Sequence, residues 1–334
     1  MTAAKTAKND EFYTQYDDIE KEINAYLEYN PDVFRGKTVL CPCDDPEWSN
    51  FTSYFRHNFR KLGLKRLISS CISQDSRAGL FGDPAKLHGR YLDMTAEAEE
   101  QGELACDGDF RSPELCRLRD AADMVVTNPP FSLFREFVAW LMDGGKQFLI
   151  IGNMNAITFK GVFPLIKENR VWLGATGVVA DMVFAVPEGT HIKERDRLKA
   201  ARMGYVGNYT RLGNSCWFTN IEHGRRHKPL VLMTMEENKR YSRHKEVRGH
   251  DYARYDNYNA IEVPYVDAIP SDYDGIMGVP ISFLDKYCPE QFEIVGCSND
   301  CGRPVGWDKS IDMTGTIKGK SIYKRLLIRH RRKQ

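Results

Sequence analysis

Residues 127–134 read TNPPFSLF, a stretch dense in groups that can act on a ligand. Two successive prolines lack backbone donors and fix φ, so they end the apolar run Met124-Val125-Val126 and hold the neighbouring carbonyls rigid and extended. The Asn128 side-chain oxygen and the Pro129 carbonyl then make a fork of acceptors for an NH₂ group, and Phe131 offers a flat face to a planar ring. A planar ring bearing an exocyclic amine is an adenine, a cytosine or, less aptly, a carboxamide. Its nitrogen is a poor nucleophile because the lone pair is delocalised into the ring. Accepting both amine protons pulls that nitrogen toward a tetrahedral geometry and frees the pair for attack. The structural alternative is a turn that only ends a strand.

The surrounding periodicity says what would position these groups. Residues 37–43 (KTVLCPC), 64–72 and 123–127 read as strands, and 48–61 as a helix with Phe51, Tyr54, Phe55 and Phe59 on one face. Ser132 stands as the N-cap of a helix through Phe134, Phe137, Val138 and Leu141 that Gly144-Gly145 closes. QFLIIG at 147–152 is a strand buried on both faces, followed by a short helix at 159–167 and a strand at 171–173. Such alternation predicts an α/β fold with a mostly parallel sheet covered by helices on both faces. Beyond Gly177 the pattern changes: 178–186, 215–220 and 229–234 read as strands without regular helices between them, and 251–259 (DYARYDNYN) as an exposed loop. A loose boundary falls near residue 177, giving a core over 1–177 and, over 178–334, remaining core strands with a smaller irregular region.

At 334 residues the chain suits one elaborated domain or two, and 42% apolar with 28% charged residues is ordinary for a soluble globular protein. MTAAKTAKND at the start lacks the apolar core of a signal peptide, and no apolar stretch approaches a bilayer's thickness, so a cytoplasmic protein is expected. Nine cysteines with no C-x-x-C pair read as reduced thiols rather than a metal site. The net charge of +1 conceals a basic excess from Arg225 to Arg254 and an acid-free tail, YKRLLIRHRRKQ. Runs of this kind are solvated faces or polyanion contacts.

NPPF resembles the catalytic motif of amino-methyltransferases that use S-adenosylmethionine, and TNPPFSLFREFVAWL, with VLCPCDDPEWSNFTSYF before it, resembles the EcoRI-type adenine-specific DNA methyltransferases. The resemblance extends from about residue 9 to about residue 297. It implies a Rossmann-like S-adenosylmethionine-dependent methyltransferase fold, the C-terminal region serving target recognition. It also implies methylation of adenine N6 in duplex DNA, of restriction-modification type. Asn128, Pro129, Pro130 and Phe131 become the methyl-acceptor site, with Phe131 stacking on an adenine swung out of the helix. Double-stranded DNA is the implied partner; a cognate restriction endonuclease acting separately is allowed, and a monomer suffices.

On the cofactor side, the resemblance implies that Asp10-Glu11-Phe12-Tyr13-Thr14 folds back over S-adenosylmethionine; the bland reading is an aromatic pair in a flexible arm. The first-strand loop, Cys41-Pro42-Cys43-Asp44-Asp45-Pro46, lacks the usual glycines. Asp44 or Asp45 receives the ammonium of the methionine moiety, or both cap the following helix. The ribose-binding acid expected after the second strand is missing, since Asp75 comes late. The resemblance implies that Asp109, with Phe110 packed nearby, accepts the cofactor's adenine amine; the bland reading is a turn aspartate. Trp217 is either a second aromatic for the flipped base or a buried strand residue. Arg225, Arg226, Lys228, Lys239, Arg240, Arg243, Lys245 and Arg248 are candidate phosphate contacts, or solvated side chains. Two further readings stand beside this one: a methyltransferase acting on RNA or a protein glutamine, and a non-catalytic DNA-binding relative supported by the glycine-free loop.

Overall fold

The computed structural model describes residues 12–73, 88–177 and 182–331; Asp10, Glu11 and Asp75 lie outside them. Two compact units divide the chain, one of residues 1–154 with 173–223, the other of 155–172 with 224–334.

In the first unit the strands are β1 (Tyr13–Thr14), β2 (Thr38–Cys41), β3 (Arg66–Cys71), β4 (Arg90–Met94), β5 (Glu99–Glu103), β6 (Met124–Thr127), β7 (Gln147–Asn153), β8 (Trp172–Leu173), β9 (Val183–Ala185), β10 (Tyr209–Arg211) and β11 (Ser215–Thr219). β8 begins one residue before this unit resumes. The main sheet runs β5-β4-β3-β2-β6-β7-β11-β8, and β1-β9-β10 form a small antiparallel sheet. Every residue of β2 and β6 is buried, as expected of strands covered on both faces. Because successive side chains point to opposite faces, Val39, Cys41, Val126, Leu149 and Ile151 share one core with Ile19 and Ile23 of the helix Tyr16–Tyr29 and Phe51, Tyr54 and Phe55 of the helix Asn50–Leu62. Leu40, Val125, Phe148 and Ile150 are buried on the other face, where Phe134 of the helix Phe134–Asp143 meets Phe218 at 5.0 Å.

Local signals place the helices well. Ser49 caps the helix Asn50–Leu62 by accepting from the Phe51 amide, and Gly63 closes it at φ 65°. Ser132 is no N-cap: it lies within a 3₁₀ turn, Phe131–Leu133, and the following helix begins without a side-chain cap.

The expected mostly parallel sheet is mixed. Strands β3-β2-β6-β7 pair parallel, whereas β4, β5 and β11 pair antiparallel. β4 and β5 form an edge hairpin whose polar residues, RYLDM and EEQGE, carry no apolar run to announce a strand.

The second unit is more regular than the irregular region expected. It holds β12 (Ala260–Glu262), β13 (Ile276–Pro280), β14 (Phe292–Cys297), the hairpin strands β15 (Thr316–Ile317) and β16 (Lys320–Ser321), and β17 (Arg325–His330), with β12-β13-β17-β14 in one sheet. The basic tail is thus an interior strand: Leu326, Leu327 and Ile328 are buried, Arg325 pairs with Glu262 at 2.7 Å and Arg329 with Glu293 at 2.7 Å. Residues 229–234 form no strand and lead into the helix Met235–Tyr241, capped by a reciprocal Thr234–Glu237 box. The 251–259 loop is not wholly exposed, since Tyr255 and Asn257 are buried. Cys297 and Cys301 bring their sulfurs together, against the expectation of thiols throughout; seven cysteines are free.

Candidate active site

From β2 the chain passes to β3 on one side, and β6 lies on the other, so the strand order reverses at β2. A reversal of this kind leaves a crevice outside the carboxyl ends of the strands, where α/β sheets take ligands. A hollow of about 140 Å³ occupies that place. Its walls are Phe12, Tyr13 and Thr14, then Pro42, Asp44 and Asp45 after β2, Cys71 and Ile72 at the end of β3, Gly108, Asp109 and Phe110, and finally Asn128 and Pro130 after β6. Five stretches distant from one another in the sequence thereby meet in one cavity.

At the acceptor corner, Asn128 Nδ2 donates to the Phe12 carbonyl at 2.6 Å, while Asn128 Oδ1 is buried with no hydrogen-bond partner. The Pro130 carbonyl is taken by the Leu133 amide at 3.0 Å; no described donor reaches the Pro129 carbonyl. Buried acceptors are rarely left unmatched, because desolvation without a partner costs about 1–3 kcal/mol. Phe131 does not line the hollow. Its ring stacks on Phe12, centroids 5.4 Å apart and planes at 27°, with Phe184 at 6.5 Å edge-on.

Deeper in the hollow the two neighbouring acids differ. Asp44 accepts from Ser49 Oγ at 2.7 Å and Thr127 Oγ1 at 2.5 Å, and faces no cation among the described residues. Burial pushes its pKa up to about 7, a rise that the two hydroxyls only partly offset. Asp45 is committed to the Arg90 guanidinium and to the Glu47 amide at 2.9 Å. Neither acid caps the next helix directly; Ser49 does, with Asp44 bonded to its hydroxyl. Thr14 Oγ1 is buried without a partner. Burial raises the Asp109 carboxyl, yet hydrogen bonds from Arg111, the shortest 2.6 Å, outweigh it and hold the group below its usual pKa. Phe110 is largely core, 4.9 Å from Phe137 and 5.7 Å from Trp140.

Sequence reasoning overlooked several lining residues. Gly108, at φ +88°, lies so close to the Cys71 carbonyl that a Cβ would sit 2.4 Å from its oxygen. A glycine here lets the loop before Asp109 pack directly on the end of β3, and the DGD triplet was its only signal. Trp48, which meets Tyr13 edge-on at 4.6 Å, and Cys71 gave none.

The suggested DNA-facing residues do not behave alike. Trp217 is 2% exposed, packs against Phe51 at 5.9 Å and pairs with Ile151, so it presents no face to a base. Arg226 is also turned inward, its guanidinium 3.7 Å from the Trp172 ring centre and bonded to Asn169. Arg225 is tied to Asp285 at 2.5 Å. Lys228, Lys245 and Arg248 are exposed; Arg240 and Arg243 are exposed beside Glu236 and Asp267, and Lys239 pairs with Asp251.

A switch-point hollow with an unmatched amide oxygen and a proline carbonyl along its edge has the form of an α/β enzyme's ligand site. The match with known families is specific: residues 1–331 fit the model of the adenine-specific methyltransferase EcoRI, and the chain belongs to that family. It is 42% identical to the type II methyltransferase M.EcoRI of Escherichia coli, over 99% of this chain and 96% of that protein. The type II methyltransferases M.MpnI of Mycoplasma pneumoniae and M.MgeORF184P of Mycoplasma genitalium are 34% and 35% identical, covering 98% and 88% of this chain and 97% and 84% of their own lengths. No solved structure matches the chain.

Proposed function

We propose that this protein methylates N6 of an adenine within a specific duplex DNA sequence, as the modification half of a restriction-modification pair. Membership of an adenine-specific family and the type II relatives support the reaction class. The observation that carries the residue roles is the buried, partnerless Oδ1 of Asn128, a residue that lines the hollow. With the Pro129 carbonyl it accepts the two N6 protons, taking the lone pair out of conjugation, while Phe131, stacked on Phe12, braces the corner from behind. Extruding the adenine costs a few kcal/mol, which stacking and these hydrogen bonds offset. Once N6 carries the methyl group its surplus proton leaves to solvent, so no dedicated base among this chain's residues is needed.

S-adenosylmethionine, when bound, supplies the electrophilic methyl group. The hollow fits it on its own terms: Asp44 is a buried acid awaiting a cation and Thr14 Oγ1 a buried hydroxyl awaiting a partner. Asp44 takes the ammonium and Asp109 the adenine amine; Phe12, Tyr13, Pro42 and Phe110 wall the site, while Asp45 orients its loop through Arg90. Such a cradle argues against a cofactor-free relative. In this reading the first unit is a Rossmann-like methyltransferase core whose parallel strands β3-β2-β6-β7 hold the site. Exposed Lys228, Arg240, Arg243 and Lys245 of the second unit touch phosphates, which position a duplex without reading it. No helix among the described residues is long and apolar enough to cross a membrane.

The test is transfer of a labelled methyl group, with DNA, RNA and protein acceptors offered side by side. Duplex DNA is expected to be labelled on adenine, and Asn128→Ala to abolish labelling while cofactor binding by calorimetry stays within about threefold. Equal activity of that variant refutes the assignment.

A further inference from the structure

An asparagine amide has two ends, and half a turn about its last bond exchanges an acceptor for two donors. Which end Asn128 turns to the hollow decides whether a ring amine or a ring carbonyl is held there. The choice is made by the N-terminal strap. Phe12 O accepts from Asn128 Nδ2 at 2.6 Å, and this commits the donor end of the amide to the strap and leaves Oδ1 as its unpaired end. The carbonyl is itself anchored. The Phe12 ring lies on Phe131 at 5.4 Å and meets the Phe184 edge at 5.9 Å; the next residues, Tyr13 and Thr14, pair with Ala185 and Phe184; and Asn50 Nδ2 donates to Thr14 O at 2.8 Å.

We infer that Phe12 is a specificity-determining positioning residue of the acceptor site: its backbone carbonyl orients the Asn128 amide so that only an amino group, and not a keto group, is held. This rests on the acceptor role proposed for Asn128. The same strap walls the cofactor hollow through Tyr13 and Thr14, so one segment meets both reactants.

Asn128→Asp in the full chain is the discriminating variant. An ionised carboxylate cannot donate to Phe12 O and repels it; only the protonated acid restores the donor on one side and the acceptor on the other. The ratio of variant to wild-type methylation rate is therefore highest at acid pH and falls about tenfold per pH unit above the introduced acid's pKa. Tyr13, Cys43, Asp44, Asp45, Cys71 and Asp109 share the hollow in both proteins and cancel in that ratio. A flat ratio from pH 5.5 to 9, or no recovery at acid pH, overturns the inference. Phe12→Ala supplies a second readout, because it frees the carbonyl from its aromatic anchors. Wild-type protein binds target duplex with adenine well above the same duplex with hypoxanthine, whose position 6 is a keto oxygen; in Phe12→Ala this preference drops at least fivefold. A preference retained in full also overturns it. Wild-type transfer measured in the same series separates failure of this orientation step from failure of the acceptor site itself.

Discussion

Asp44→Asn tests the cofactor side of the site, because one substitution should strengthen the fold and weaken the ligand. Asp44 is 6% exposed, and burial raises its pKa from 3.8 to about 7. A carboxyl whose folded pKa lies above its unfolded one favours folding only while protonated; that advantage is complete below the unfolded value and disappears as pH rises through the folded one. Each pH unit between the two values removes about 1.4 kcal/mol, so wild-type stability declines by about 3 kcal/mol from this group between pH 5 and 8. Asparagine has nearly the same shape, and its amide can still pair with Ser49 and Thr127, whose hydroxyls accept as well as donate. The difference in unfolding free energy, variant minus wild type, should thus grow by about 3 kcal/mol over that interval in paired urea melts without ligand. Calorimetry at pH 8 should show the opposite sign for S-adenosylmethionine: losing one charged partner costs about 1.5–3 kcal/mol, or roughly ten- to a hundredfold in affinity. A difference that is level with pH, together with unchanged cofactor affinity, would refute the assignment of Asp44 as the ammonium's partner.

Two other substitutions separate packing from binding. Thr14→Val removes the partnerless hydroxyl at nearly constant volume, so the melting temperature should hold or rise slightly while cofactor affinity falls about tenfold; equal affinity would show that the hydroxyl meets no ligand. Gly108→Ala places a methyl 2.4 Å from the Cys71 carbonyl at φ +88° and should cost about 2–4 kcal/mol of stability, whereas Gly145→Ala, at φ +60° with open space, should cost only about 1–2 kcal/mol in denaturant melts.

Short-range physics made part of this protein legible in its chain. The buried strands at 38–41, 124–127 and 147–153, the helix capped by Ser49 and ended by Gly63, and the proline-stiffened NPPF corner all depend on residues within a few positions of one another, so composition and spacing suffice to find them. Charge and aromatic character, in contrast, do not reveal direction. Trp217 and Arg226 had the right chemistry for DNA and are turned inward, because β11 lies against β7 and because Trp172 covers the guanidinium. The edge hairpin and the second sheet escaped notice for a related reason. Polar β4 and β5 show no apolar run, and β17 has its charges matched on β12 and β14, strands far away in sequence. The active corner divides in the same way. Asn128 and its prolines announce an amine fork locally, but the carbonyl that turns the amide is 116 residues upstream, and Asp44 acquires its raised pKa only where Ser49 and Thr127 enclose it away from water. Local sequence thus determined which groups could take part, and tertiary packing decided which of them face the hollow, because desolvation and hydrogen-bond partnership arise only between segments that the fold brings together.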